Sequence, residues 1–243
     1  SLRHVMASSG LTFIGVLWMV VSAVATALLA GGIIIPEWLI GTVSANGKTV
    51  IAFFGAYKRC NYPIFDEESS MIALVEECGR YSSFFVVPSL YWQIAIVLVV
   101  FGTSLSLLLS FLIIPSLCTA HVITASSAII VGFFQIVAAI CVSTGLVVYP
   151  LGWDNAEVRG ACGRDADRYD LGNCRIGRAF LAMIAGVCLL VFSAILSICG
   201  GKNPRSYRHH PQHQEKRSVV MTQAEHTVIR GYDGNGVVCV RPV

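Results

Sequence analysis

The chain has 243 residues, of which 55% are hydrophobic and 13% charged, and its mean hydropathy is +0.70. This composition is wrong for a soluble globule and places the chain in a membrane, while a dispersed net charge of +3 excludes the dense basic face of a nucleic-acid binder. No Asp, Glu, Lys or Arg occurs between Tyr81 and Trp153, a run that lipid or a very large core must bury, so a small cytosolic enzyme is excluded too.

In chain order, residues 1–10 form a short polar lead and Leu11 to Ile35 is an uncharged run stopped by Pro36 and Glu37. About 20 apolar residues at about 1.5 Å each cross a hydrocarbon core of about 30 Å, so this is the first expected span. Ala23-Val24-Ala25 looks like a signal-peptide cleavage site, but the apolar run is longer than a signal's core of about 7 to 15 residues and is read as a span. Residues 36–91 are too many for a bare connector. They contain Trp38 to Val43, Asn46-Gly47 and Thr49 to Phe54, the pattern of a β-hairpin in β-branched and aromatic residues. Gly55 then suggests a bulge or a close backbone approach.

The second span is expected over 92–114, stopped by Pro115, with a polar joint over 115–122 and a third span over 123–148 that ends at Tyr149 and Pro150. A second loop covers 149–178. The fourth span covers 179–199, and residues 200–243 form a polar tail expected to be disordered.

Lys202, Arg205 and Arg208 follow the fourth span with no acid among them, whereas the basic residues of both large loops are interspersed with acids. Cytoplasmic flanks favour Lys and Arg, so both termini are expected in the cytoplasm and both large loops outside the cell. The nine cysteines give an independent check. Cys60 and Cys78 lie in the first loop and Cys162 and Cys174 in the second, an even pair on each side where disulfides persist. Pairing within each loop is the simplest arrangement, although four cysteines allow three connectivities and four unpaired small apolar side chains would divide in the same way.

Trp38, then Gly55-Ala56-Tyr57, then Cys60 and Cys78 together resemble the W-GLW-C-C signature of the claudin and PMP22-like superfamily, with Ala56 and Tyr57 standing where claudins carry Leu and Trp. Pro36-Glu37-Trp38-Leu39-Ile40-Gly41, Pro88-Ser89-Leu90-Tyr91-Trp92-Gln93, Gly152-Trp153-Asp154 and Ala166 to Cys174 resemble more closely the LHFP-like (lipoma HMGIC fusion partner-like) tetraspan family. The resemblance implies a mainly α membrane protein, a left-handed four-helix transmembrane bundle under a small extracellular β-sheet. It also implies an accessory or auxiliary subunit, or an assembly and trafficking partner, of another integral membrane protein such as a channel or receptor.

The chemistry of the chain is consistent with that expectation. Transport and intramembrane catalysis call for ionisable groups facing a cavity, and the sequence offers only His121 at the start of the third span. Asp165, Asp167 and Asp170 echo a calcium loop without its glycine and final Glu, and are read as an ion-paired face with Arg164 and Arg168. His209, His210 and His213 lie in the polar tail and are read as solvated. No catalytic residue, cofactor or metal is therefore assigned, and the chain is read as a non-enzyme.

Small residues recur at four-residue spacing in the spans: Ala23, Ala27 and Gly31; Gly102, Ser106 and Ser110; Ala128 and Gly132; Ala182 and Gly186. Such faces let helices approach closely. Most are expected to hold the bundle together and one to dock a partner's helix, with Gln93 and Gln135 hydrogen-bonded inside or at its edge. Trp38, Gly55 and Tyr57 are expected to fix the sheet on the ends of the spans, and Trp92 and Trp153 to anchor at the membrane interface. Cys199, beside the basic start of the tail, is a candidate for palmitoylation. The reading is an accessory tetraspan of the plasma membrane, in contact with the lipid bilayer and a membrane-protein partner; the alternative is a claudin-like cell-contact or paracellular barrier protein.

Overall fold

The computed structural model of the chain describes residues 13–45, 47–66, 71–113 and 125–200. His121, the basic residues and histidines of the tail, and the side chain of Cys199 lie outside the described residues. Four long helices, α1 (Phe13–Ile34), α2 (Leu90–Ile113), α3 (Ala125–Val148) and α5 (Arg178–Gly200), form the bundle, and each is long and apolar enough to cross a membrane. Pro36 ends α1, because proline disfavours helix at the residue before it and brings no N–H of its own. Helix α1 packs along α5, α5 along α3 and α3 along α2, with a slimmer seam between α1 and α2.

Between the first two helices lie β1 (Leu39–Ala45), β2 (Lys48–Phe54), β3 (Lys58–Asp66) and β4 (Met71–Arg80). After α3 come a 3-10 turn (Tyr149–Gly152), the short helix α4 (Ala156–Cys162) and β5 (Arg175–Ile176). The five strands make one antiparallel sheet in the order β4-β3-β2-β1-β5. The hairpin expected around Asn46-Gly47 is β1–β2, with Ala45 opposite Lys48 and Gly47 at φ 77°, a backbone conformation that glycine adopts without strain. β2 pairs with β3 only through Phe53 and Phe54. Most of the β3–β4 hairpin therefore extends past the edge of the sheet, and Pro63 sits in that stretch, where no β2 ladder needs its missing N–H.

The exterior of the bundle is as apolar as its interior, where Leu29, Val99, Val142 and Met183 are buried beside a few polar side chains. Phe101, Leu108, Leu112, Phe133 and Ile195 point outward, while Ser22, Thr26, Ser106, Gln135, Ser193 and Ser197 are buried. Lipid tails are as apolar as leucine, so large apolar side chains gain nothing by leaving them, and helix association relies on close packing and hydrogen bonds. One buried cluster joins three helices: Trp18 Nε1 donates to Gln135 Oε1 at 3.3 Å, Gln135 Nε2 donates to Ser22 Oγ at 2.9 Å, and Ser22 and Ser193 hydroxyls meet at 2.5 Å. A second closes the α1–α2 seam, with the Thr26 hydroxyl 2.6 Å from that of Ser106 and 2.9 Å from that of Ser110.

Three of the small-residue faces lie inside the bundle. A Cβ on Gly102 would come within 2.7 Å of Val142 Cγ2 and 2.8 Å of the Ala138 carbonyl oxygen, and one on Gly186 within 2.8 Å of Leu29 Cδ2. Gly132 is closed against Ser197 in the same way. The fourth face departs from them: Ala23 and Ala27 are exposed, and a Cβ on Gly31 would meet nothing within 4 Å. Spacing alone does not show which way a stripe turns, and here α1 presents Trp18, Ser22, Ala25 and Leu29 to the interior instead. The substitution Gly102→Leu should push α2 off α3 and cost about 1–3 kcal/mol, read as a lower unfolding midpoint in detergent or nanodiscs, while Gly31→Leu should leave the midpoint unchanged.

Candidate functional site

The sheet stands on the bundle through a cluster of rings. Trp38, immediately before β1, packs edge-on to Tyr149 at 4.9 Å and to Phe180 at 5.8 Å, and its indole N–H donates to the Gly32 carbonyl at 2.6 Å. Trp92 stacks on Tyr149 at 5.0 Å and donates to the Tyr149 carbonyl at 3.1 Å, and Trp153 meets the Tyr149 ring edge to face at 6.4 Å. The placement expected for Trp92 and Trp153 needs correction: they are 1% and 5% exposed, buried under the sheet and not anchored among headgroups. Each lies at the end of a long helix, but the sheet covers that end, and large rings in mutual contact gain more from burial there than from a place at the lipid border. Gly55 makes the expected close approach, since a Cβ on it would stand 2.7 Å from Pro36 Cα. Tyr57 lies at the margin of this core, with Lys58 Nζ and Arg80 Cζ 5.3 Å and 5.5 Å from its ring centre.

Two disulfides staple the loops. Cys60 and Cys78 face each other across β3 and β4, and Cys162 at the end of α4 joins Cys174 just before β5. The second staple holds α4 against β1 at Gly41, where a Cβ would reach to 2.6 Å from Cys174 Sγ and 3.0 Å from the Ala161 carbonyl oxygen. Helix α4 begins at Asn155, whose Oδ1 accepts from the Val158 N–H at 3.0 Å, and stops at Gly163 with φ 95°. The acidic string that follows is a tight turn, with Asp167 bridged to Asp170, Tyr169 at φ 59° and the Gly172 N–H donating to Asp170 Oδ1. Two of its charges are paired with neighbours: Arg168 with Asp154 at 3.1 Å and Asp167 with Arg159 at 3.9 Å. Among the described residues no cluster of three metal-ligating side chains occurs.

Where α4 faces the sheet, a partly buried polar group joins the two loops. Arg59 on β3 pairs with Glu157 on α4, and the Tyr81 hydroxyl donates to the other Glu157 oxygen at 2.8 Å. The guanidinium is sandwiched, its Cζ 4.1 Å from the Tyr62 ring centre and 5.0 Å from that of Tyr81. Tyr62 in turn lies over Gly79, where a Cβ would come within 2.8 Å of its hydroxyl. A recess of about 130 Å³ opens beside this group, with Val43 and Phe54 among its apolar lining and Ala156 and Gly160 of α4 along it. None of these pairings was foreseen from the sequence, because Arg59 and Glu157 lie 98 residues apart. The one usable local signal was Asn155 as a helix cap.

Burial first, and the Glu157 carboxylate second, hold the Tyr81 phenol protonated well above its usual range. The sign follows: the folded chain keeps this proton more tightly than the unfolded one, so the contribution is complete below a pH of about 10 and is lost as pH rises further. Tyr81→Phe should remove that alkaline loss in a pH series of unfolding midpoints. Glu157→Ala leaves Arg59 partly buried without its acid and should cost about 1.5–3 kcal/mol, measured as loosened protection of α4 amides in hydrogen exchange.

The model for the lipoma HMGIC fusion partner-like protein family matches residues 14–202. LHFPL tetraspan subfamily member 2a protein of Danio rerio is 26% identical over 217 residues, covering 84% of this chain and 94% of that protein. LHFPL tetraspan subfamily member 4 protein of Mus musculus is 25% identical over 229 residues, covering 92% and 86%, and member 3 protein of Homo sapiens is 26% identical over 193 residues, covering 78% and 75%. The matched region takes in all four long helices, the sheet and both staples. With its four apolar helices under a small stapled sheet, the chain is a multi-pass membrane protein and belongs to the lipoma HMGIC fusion partner-like family.

Proposed function

We propose that this chain is a non-enzymatic accessory tetraspan of the plasma membrane, which assembles with a larger membrane protein such as an ion channel or receptor and changes that partner's surface delivery or gating. The observation that carries the reading is the stapled sheet seated on the bundle through the Tyr149 ring cluster. Such a body is built to hold a recognition surface at a fixed position over the membrane. Its long helices carry no Asp, Glu, Lys, Arg or His apart from Arg178 at the first position of α5; the buried Ser22, Thr26, Ser106, Gln135 and Ser193 side chains hydrogen-bond to one another, and the Ser197 hydroxyl donates to the Ala194 carbonyl of its own helix. In this reading both termini are cytoplasmic, the sheet is outside, and the recess beside Arg59 and Glu157 is one of the surfaces offered to the partner.

The test compares isolated cells with cells in contact. Removing the protein from single cells should lower the surface level or alter the currents of a membrane protein that co-purifies with it in fixed ratio. Loss of paracellular resistance at contacts, with no fixed-ratio partner recovered after crosslinking in native membranes, would replace this reading with the claudin-like barrier.

A further inference from the structure

The rings expected at the membrane border lie in the core, yet another apolar group stands exposed at the same end of the bundle. Between β4 and α2, residues Phe84–Val86 form a 3-10 turn. Phe85 is 85% exposed, and Phe84 and Val86 flank it on the surface, the two phenyl rings meeting edge to face at 5.8 Å. The turn is fixed to the bundle and not a loose loop. The Val86 N–H donates to the Ser83 carbonyl at 3.2 Å, Val87 is buried in the main core, and Gln93 Nε2 in the first turn of α2 donates to the Val87 carbonyl at 3.2 Å.

That attachment sets its height. Helix α2 has 24 residues, about 36 Å at about 1.5 Å each, which exceeds the hydrocarbon core of about 30 Å. A span centred on that core leaves its first turn, and the knuckle bonded to that turn, at the border of the headgroup zone. Leu90, at the start of α2, is itself exposed. The charge nearby is complementary to phosphate. Arg80 lies four residues before Phe84 and faces Lys58 across the β3–β4 ladder, and neither forms an ion pair among the described residues.

We infer that Phe84, Phe85 and Val86 form a membrane wedge that inserts into the leaflet on the sheet side, with Lys58 and Arg80 above it at the level of the lipid phosphates. An apolar tip beneath basic residues is the arrangement by which interfacial segments bind a bilayer surface. The wedge fixes the height of the β3–β4 root independently of the ring cluster.

The test uses the full chain at one copy per phosphatidylcholine nanodisc and the substitution Phe85→Trp. All four native tryptophans are buried, so the added emission and its response to quenchers report position 85. Lipid brominated near the headgroup end of its acyl chains should quench the new indole severalfold more strongly than aqueous iodide does, and its emission should be blue-shifted relative to an indole in water. Quenching by iodide without quenching by bromolipid would overturn the inference, because the knuckle would stand in water. Protection from both quenchers would overturn it equally, because protein would be covering the site. The same measurement with Val86→Trp, expected to give the same order of quenching, separates the position of the turn from any local effect of one new ring.

Discussion

The contact on which the structure depends is the stack of Trp92 on Tyr149, with Trp38 and Trp153 set edge-on around the same phenol ring. These rings come from the start of α2, the end of α3 and both loops, so one residue sits where four stretches of chain converge. Ring pairs of this kind contribute about 0.5–1.5 kcal/mol each beyond area burial. Their larger effect is geometric: the indole N–H groups of Trp38 and Trp92 reach the Gly32 and Tyr149 carbonyls, which lie at the ends of α1 and α3. Polar groups released where two helices end are thus satisfied by the rings that fasten the sheet.

Below that junction the bundle is held by a different force. Water does not drive these helices together in lipid, and the close approach at Gly102, Gly145 and Gly186, where a Cβ would meet Val142, Val99 and Leu29, supplies dispersion contact instead. The buried Gln135 cluster adds direction to that packing. Its amide must face Trp18, Ser22 and Ser193 at once, which fixes the rotation of α1, α3 and α5 relative to one another more tightly than apolar surfaces could.

How far this was legible in the sequence differs from part to part, for physical reasons. Four apolar helices follow from uncharged runs, because lipid tolerates little else. The β1–β2 hairpin follows from Asn46-Gly47 between two β-branched stretches, a local signal. The β3–β4 hairpin did not follow, since Pro63 and the acids after it argue against a strand unless one knows that β2 has already left the ladder. Helix α4, seven residues long, is too short to show a period. The direction in which Trp92 and Trp153 face depends on a sheet built from distant residues, as does the meeting of Arg59 with Glu157. Composition at the end of a span tells depth in the membrane but not which neighbour covers it.

The β3–β4 hairpin leaves the sheet at Phe54 and is tied by Cys60–Cys78 close to its root. Everything beyond that tie is mechanically downstream of it. Pairs of residues could be inserted or removed at the tip, one on each strand, without changing the ladder below or turning any side chain to the wrong face. Length added on the far side of Cys60–Cys78 would leave the root of the arm as it is. A chain constructed in this way could change the reach of that arm while the four helices and their buried hydroxyls remained as they are.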